Sequence, residues 1–191
     1  MITVVIPSIP PRTTLLNRAL ASVKAQTALP YEVVVEVDHH RTGAAATRHR
    51  GLERVTTPWV AFLDDDDEFL PNHLNDLWTT VLKTGADMVY SWYRVVGGSD
   101  PRPQEKDLPW DAENPRQTTI TTLVKTGLAL EVGGFLPDGE DDLVSPDRHY
   151  AGEDWRFTER INRAGVIYHH CSVTWLWHHH GANTSGLPRR W

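Results

Sequence analysis

The stretch FLDDDDEFLP sets four aspartates, Asp64 to Asp67, directly behind the apolar run WVAFL. Two such charges in contact repel by about 4 kcal/mol at an effective dielectric of about 20, so something has to offset them. Water does so in a solvated acidic turn, and a divalent cation does so in a binding site; on this motif alone both readings stand. In an extended segment, side chains two apart share a side. Asp64 and Asp66 would then face one site, with Asp65 and Asp67 turned elsewhere. Carboxylate oxygens suit Mg²⁺ or Mn²⁺, whose shells are often completed by substrate phosphates. An aspartate cluster at a strand end therefore fits a metal–diphosphate site.

Three other groups carry reactive side chains. His178, His179 and His180 close the aromatic run TWLW. Alternation puts His178 and His180 on one face, either as transition-ion ligands or as a plain polar strand end. The spacing does not match the helical zinc motifs. Glu153 and Asp154 open EDWRFTERINRAG, where acidic residues either complement a helix dipole or offer a general base to a substrate hydroxyl. Arg48, in AAATRHRG, is a planar donor fork suited to phosphate or a base edge, or else a solvated helix arginine.

The elements that must position these groups follow from periodicity. ITVVIP, YEVVVEVD, PWVAFL and ADMVYSWYRVV read as strands. Between them, Leu15, Leu16, Ala19, Leu20 and Val23 share a helix face, with Thr13 or Thr14 as cap. So do Leu74, Leu77, Trp78, Val81 and Leu82, in a helix that Pro71 and Asn72 start and Gly85 ends. TGAAATRHRGLERV supplies a further helix. Alternating strands and helices predict a parallel sheet covered on both faces, with ligands beyond the carboxyl ends of its strands. Asp38 and Asp64 both lie at such ends. Positions 97–116 form a long polar loop, TTLVKTGLALEVGGF a short strand, a short helix and a Gly-Gly turn, and positions 136–152 a second polar loop. EDWRFTERINRAG is a helix, VIYHHCSVTWLWHHHG one or two strands, and the tail with Arg189 and Arg190 is irregular.

At 191 residues, 40% hydrophobic and 23% charged, the chain suits one soluble globular domain, 1–191. A net charge of −6 disfavours a bulk grip on duplex nucleic acid. No apolar run reaches the roughly 20 residues of a membrane span, and the start, MITVVIPSIPPR, lacks a leader pattern. Cys171 is the single cysteine, so no intrachain disulfide forms and a cytoplasmic location is expected. For any one of the eight tryptophans, core is the expected role.

Several of these stretches, in order, are similar to motifs of the family 2 glycosyltransferases of the GT-A fold. VVIPSIPPRTTLLNRALASVKAQT resembles the family's opening strand and helix, closing on Ser22, Val23, Gln26 and Thr27. GAAATRHRG resembles Gly-x-x-x-Ala-Arg-Asn-x-Gly, keeping Arg48 and Gly51 but with His49 in place of asparagine. FLDDDDEFLP is similar to Phe-Leu-Asp-x-Asp-Asp-x-Leu-x-Pro, with Asp64 and Asp66 as the ends of the DxD motif. EVGGF resembles the acceptor-side Gly-Gly-Phe turn, GEDWRFTERINRAG the segment with the base, and HGANTS the late histidine motif. VDHHRTG departs from the family's Asp-Asp-Gly-Ser, leaving only Asp38 carried over.

The resemblance implies a mostly parallel Rossmann-like sheet flanked by helices with a small mixed acceptor-side region. It divides the chain into a nucleotide-sugar half, 1–96, and an acceptor half, 97–191. It implies a metal-dependent inverting transfer of sugar from a nucleoside-diphosphate donor, with a UDP-sugar favoured, to an acceptor hydroxyl. Asp154 is then the catalytic base. Asp66, Asp64 and His180 hold Mn²⁺ or Mg²⁺, and Pro7, Ser8, Ile9, Asp38, Arg48, Asp64 and Asp65 line the donor. The alternatives are a nucleotide-sugar-binding module without transferase activity, a metal hydrolase, or a nucleotidyltransferase, against which the glycine-free loop PSIPPR counts.

Overall fold

The computed structural model describes residues 1–115, 119–135 and 152–180. The second polar loop expected at 136–152, apart from Gly152, and the tail beyond His180, with Arg189 and Arg190, lie outside them. Strands β1 (Ile2–Ser8), β2 (Glu32–Val37), β3 (Trp59–Phe62), β4 (Glu68–Phe69), β5 (Met88–Val96), β6 (Thr122–Lys125) and β7 (Ile167–His178) form one sheet in the order β2-β1-β3-β6-β5-β7-β4. The pairs β1–β2, β1–β3 and β5–β7 are parallel. β6 is antiparallel to both β3 and β5, and β4 is antiparallel to β7. Five strands thus run one way, and only β6 and β4 oppose them. β6 comes from the second half of the chain yet separates β3 from β5, so the two halves share one sheet.

Helices α1 (Thr13–Lys24), α2 (Ala44–Glu53), α3 (His73–Thr84), α4 (Thr126–Glu131) and α5 (Glu153–Ala164) cover the sheet. Strand side chains alternate sides, and the core divides accordingly. Val4 and Ile6 of β1, with Trp59 and Ala61 of β3, pack in one cluster with Ala19 and Val23 of α1 and Leu74, Leu77 and Val81 of α3. Val5, Val60 and Phe62 point the other way, into a cluster with Leu52 of α2, Ala129 of α4 and Phe157 and Ile161 of α5. Continuous apolar strands without polar alternation are what a sheet covered on both faces requires. Trp59, Trp92, Trp155 and Trp175 are buried, in line with the core reading. Among the described residues, no helix is long and apolar enough to cross a membrane.

One local expectation needs correction. Thr13 and Thr14 do not cap α1. Arg12 is its N-cap residue, with no side-chain cap bond, and its guanidinium reaches out to the aspartates instead. Gly85 does close α3 in the left-handed region, at φ 73°, where a Cβ is disfavoured. However, Asn72 at the start of α3 gives no cap bond; its side-chain oxygen accepts from Thr27 Oγ1 at 3.0 Å. The last segment forms one long strand, β7, whose pairing with β5 is irregular around Trp92.

Candidate active site

β1, β2 and β3 are in register so that their carboxyl ends share a rim. Ser8 lies beside Val37, Asp38 N donates to Ser8 O at 2.8 Å, and Leu63 N donates to Val5 O at 3.1 Å. Asp64 to Asp67 leave this rim as a tight turn, closed by Asp67 N on Asp64 O at 3.2 Å. Asp64 and Asp66 share a site and Asp65 does not, as the alternation predicts, but Asp67 departs from it and joins them. The turn brings the first and fourth residues together, so the carboxylates of Asp64, Asp66 and Asp67 converge, with one ligand atom of each within 4.8 Å of the others. Asp65 turns aside, accepting from Ser8 Oγ at 2.6 Å and Arg12 Nη1 at 2.9 Å.

The last turn of α1 and the residues after it explain how the turn is held. Gln26 donates to Leu70 O at 2.8 Å and accepts from Leu74 N at 3.0 Å. Ser22 Oγ accepts from Phe69 N at 3.0 Å, and Thr27 N donates to Pro71 O at 2.8 Å. These contacts clamp the segment directly behind the aspartates. On the far side, His178 N donates to Asp67 at 2.9 Å. The His178 ring meets Glu68 at 2.6 Å, and His180 Nε2 lies 3.2 Å from Asp66 Oδ2. The alternation read from sequence therefore holds for the histidines: His178 and His180 face the turn, while His179 packs near Trp177, ring centroids 5.9 Å apart.

The electrostatics show crowding. Burial lifts the carboxyl of Asp65 above the usual range although Ser8 and Arg12 pull it down. Burial and the Asp64 charge raise Asp66, and the same two causes with Asp66 raise Asp67 strongly. Like charges near one another disfavour ionisation. A divalent cation at the three converging carboxylates would reverse that, and an all-oxygen donor set of this kind fits Mg²⁺ or Mn²⁺.

Arg48 links this turn to the start of α5. Its side chain is 5% exposed. One arm lies 2.7 Å from Asp64 Oδ1, and the other lies 2.6 Å from Glu153 Oε1 and 3.7 Å from Asp154 Oδ1. Burial works against its charge, but Asp64, Asp154 and Glu153 outweigh it and hold the guanidinium protonated. Arg48, expected as a donor-lining fork, turns its guanidinium to the carboxylates of Asp64, Glu153 and Asp154. The two neighbouring acids of α5 separate. Glu153 is held low by Arg48 despite burial. Asp154 is pushed up to about 7, chiefly by burial and then by Glu153, and its Oδ1 is buried without a hydrogen-bond partner. A carboxylate with a proton affinity near neutrality, facing Arg48 without a hydrogen bond to it, is equipped for general-base work.

The remaining expected residues fall at the same rim in different ways. Pro7 is buried inside β1, so it contributes shape, and the carbonyl of half-buried Ile9 takes Arg12 N at 3.0 Å. The Asp38 side chain is 0% exposed. Its oxygens accept from Gly43 N at 2.9 Å, Thr42 Oγ1 at 3.0 Å and His40 N at 3.3 Å, so it fastens the 39–43 loop and does not present its carboxylate to the rim. The Gly-Gly turn packs on α2: Gly134 has φ 59°, and a Cβ there would meet His49 Nδ1 at 2.4 Å, so glycine is required opposite His49. Sequence reasoning missed Arg12, whose Nη1 also lies 3.2 Å from Asp66 Oδ2, and Arg18, which donates to the Asp66 carbonyl. The available signal was a cation in the loop leaving β1, next to the strand that carries the aspartates.

A family model described as glycosyl transferase family 2 matches residues 35–137. The succinoglycan biosynthesis protein ExoW of Rhizobium meliloti (strain 1021) is 31% identical over 170 residues, covering 75% of this chain and 50% of that protein. The chain therefore spans about half the length of the curated relative it matches. Among solved structures, S. aureus TarS 1-349 in complex with UDP-GlcNAc aligns with a TM-score of 0.74 at 15% identity, over 94% of this chain and 58% of that one. TarS 1-349 in complex with UDP aligns at 0.70 and 16% identity, over 95% and 61%.

Proposed function

The chain belongs to glycosyl transferase family 2 and has the GT-A fold, and from that premise we propose that it is a metal-dependent inverting glycosyltransferase using a nucleoside-diphosphate sugar. The observation that carries the reading is the span of Arg48, which joins a turn of converging carboxylates to an elevated Asp154. Asp64, Asp66 and Asp67, with His180 beside Asp66, are the residues that would hold Mn²⁺ or Mg²⁺. When bound, the cation supplies Lewis-acid stabilisation of the negative charge that develops on the leaving diphosphate.

This chain's own residues do the rest. Asp154 takes the proton from the acceptor hydroxyl as that oxygen bonds to the anomeric carbon. The bond from that carbon to the diphosphate oxygen breaks, and the pair of electrons leaves with the nucleoside diphosphate. Attack from the face opposite the leaving group inverts the anomeric centre. Arg48 keeps Asp154 and Asp64 at a fixed separation, and Glu153 carries the counter-charge that leaves Asp154 basic. Ser8, Ile9 and the loop fastened by Asp38 border the donor. Residues 1–96 serve the donor and 97–191 the acceptor. A UDP-sugar is the first donor to test, since the neighbour TarS is named in complex with UDP-GlcNAc. A reducing cytoplasm suits a chain with one cysteine.

The test is a transfer assay over a panel of nucleotide sugars with Mn²⁺, preceded by a thermal-shift screen, since a donor that binds raises the melting point. The expected result is sugar transfer with inverted stereochemistry that stops in excess chelator and returns with Mn²⁺ or Mg²⁺. Donor binding without transfer to any acceptor or to water would favour a binding module, and undiminished transfer in chelator would remove the metal.

A further inference from the structure

Arg12 Nη1 lies 2.9 Å from Asp65 Oδ1 and 3.2 Å from Asp66 Oδ2, and its side chain is 16% exposed. The same Asp66 oxygen lies 3.2 Å from His180 Nε2. One carboxylate of the converging group is thus already met by a guanidinium of the protein. We infer that Arg12 is an internal counter-ion: it stands on Asp66 in place of the divalent cation and passes to the donor's diphosphate when the cation arrives. This rests on the metal-dependent reading above and adds the residue that couples cation and anion binding.

Three observations support it. First, a guanidinium and a divalent cation on one carboxylate repel each other, so Arg12 must give way when the cation takes Asp66. Second, Arg12 has a pivot. Asp65, fixed by Ser8 at 2.6 Å, keeps hold of the guanidinium and limits its movement to the rim. Third, the charges require it. Three carboxylates and one divalent cation leave a net negative site, yet the site has to receive a diphosphate. Arg48, 2.7 Å from Asp64, is shared with Glu153 at 2.6 Å, and Arg18, which donates to the Asp66 carbonyl, is shared with Glu68 at 3.3 Å. The Asp65 and Asp66 carboxylates that Arg12 meets lie in the turn itself, so cation binding there changes its surroundings directly. An arginine fork matches phosphate oxygens well.

The experiment measures Mn²⁺ binding by the electron paramagnetic resonance of free Mn²⁺, on the intact chain, without any sugar donor. Arg12→Met should bind Mn²⁺ alone about threefold more tightly than the unmodified protein, because a competitor is gone. Inorganic pyrophosphate, titrated onto the Mn²⁺-loaded protein by calorimetry, should bind Arg12→Met about tenfold more weakly, and Arg12→Lys should recover most of that loss. A purely structural arginine would weaken both bindings together. Mn²⁺ affinity that falls or stays the same in Arg12→Met, or pyrophosphate affinity that is unchanged, overturns the inference while the metal reading stands. Absence of Mn²⁺ binding in both proteins overturns the metal reading and this inference with it. Arg12→Gln, read in the same way, decides the outcome if Arg12→Met melts early.

Discussion

Two strand ends that flank β1 on one rim treat their carboxylates in opposite ways. At the end of β2, Asp38 spends its oxygens on hydrogen-bond donors of its own loop, with Arg50 of α2 3.6 Å away, and has no exposed side-chain surface. Despite burial, those bonds hold its carboxyl below the usual range. At the end of β3, Asp65, Asp66 and Asp67 are lifted above it, by burial first and by the neighbouring Asp64 charge. The donors they do have come from β1, α1 and β7. A carboxylate satisfied by its own loop is a fastener; carboxylates crowded beyond what their partners neutralise are prepared for a ligand. Motif position alone does not separate the two cases, because both aspartates sit where a parallel sheet binds ligands.

The largest test of this contrast lies at the far end of Arg48. If the crowded rim is where chemistry occurs, Asp154→Asn keeps donor binding but lowers turnover by about a thousandfold, read as kcat in the transfer assay. Near-normal turnover would reassign the base. Next, Asp66→Asn should lower kcat/KM by about a hundredfold while its melting temperature in metal-free buffer stays level or rises, since a repelling charge has been removed. A large loss of stability would make Asp66 a fastener like Asp38. The converse variant, Asp38→Ala, should cost about 2 kcal/mol in denaturant unfolding by stranding the donors of the 39–43 loop. A stable Asp38→Ala that binds donor poorly would instead make Asp38 a direct donor contact.

The smallest effect is the dependence on pH, where the two regions differ in sign. Asp38, depressed in the fold, adds stability that is present above the ordinary carboxylate pKa and is lost as pH falls through its lower folded value. Asp67, raised in the fold, binds its proton more tightly when folded, so its contribution falls as pH rises from the ordinary carboxylate range through its folded value. Asp38→Asn should therefore remove stability at neutral pH and Asp67→Asn should add it, with saturating Mn²⁺ erasing the difference for Asp67. Metal-free unfolding curves at several pH values, compared with a Mn²⁺ series, measure both.

Much of the fold was legible because hydrophobic periodicity is local. The unbroken apolar run of Val4, Val5 and Ile6, the spacing of Leu74, Leu77 and Val81, and Gly85 after the last turn of α3 each specify an element from neighbours in the chain. The position of Asp64 at a strand end, the start of α5 at Glu153 and the shared face of His178 and His180 could be read in the same way. What could not be read was partner choice. Arg48 and Glu153 stand 105 residues apart in sequence, and nothing local says that they meet. Whether the aspartates run extended or close into a turn depends on clamps from α1 and β7. Whether Asp38 faces a ligand or its own loop depends on which donors reach it first.

Strand and helix identity, and the order of the motifs, were therefore fixed by the chain alone, since each depends on side chains a few positions apart. The joining of Asp67 to Asp64 and Asp66, the turning aside of Asp38, and the pairing of Arg12 were decided only by the folded molecule. Hydrogen bonds and ion pairs form between groups that the packing of distant elements brings within about 3 Å, and that distance is not encoded in spacing along the chain.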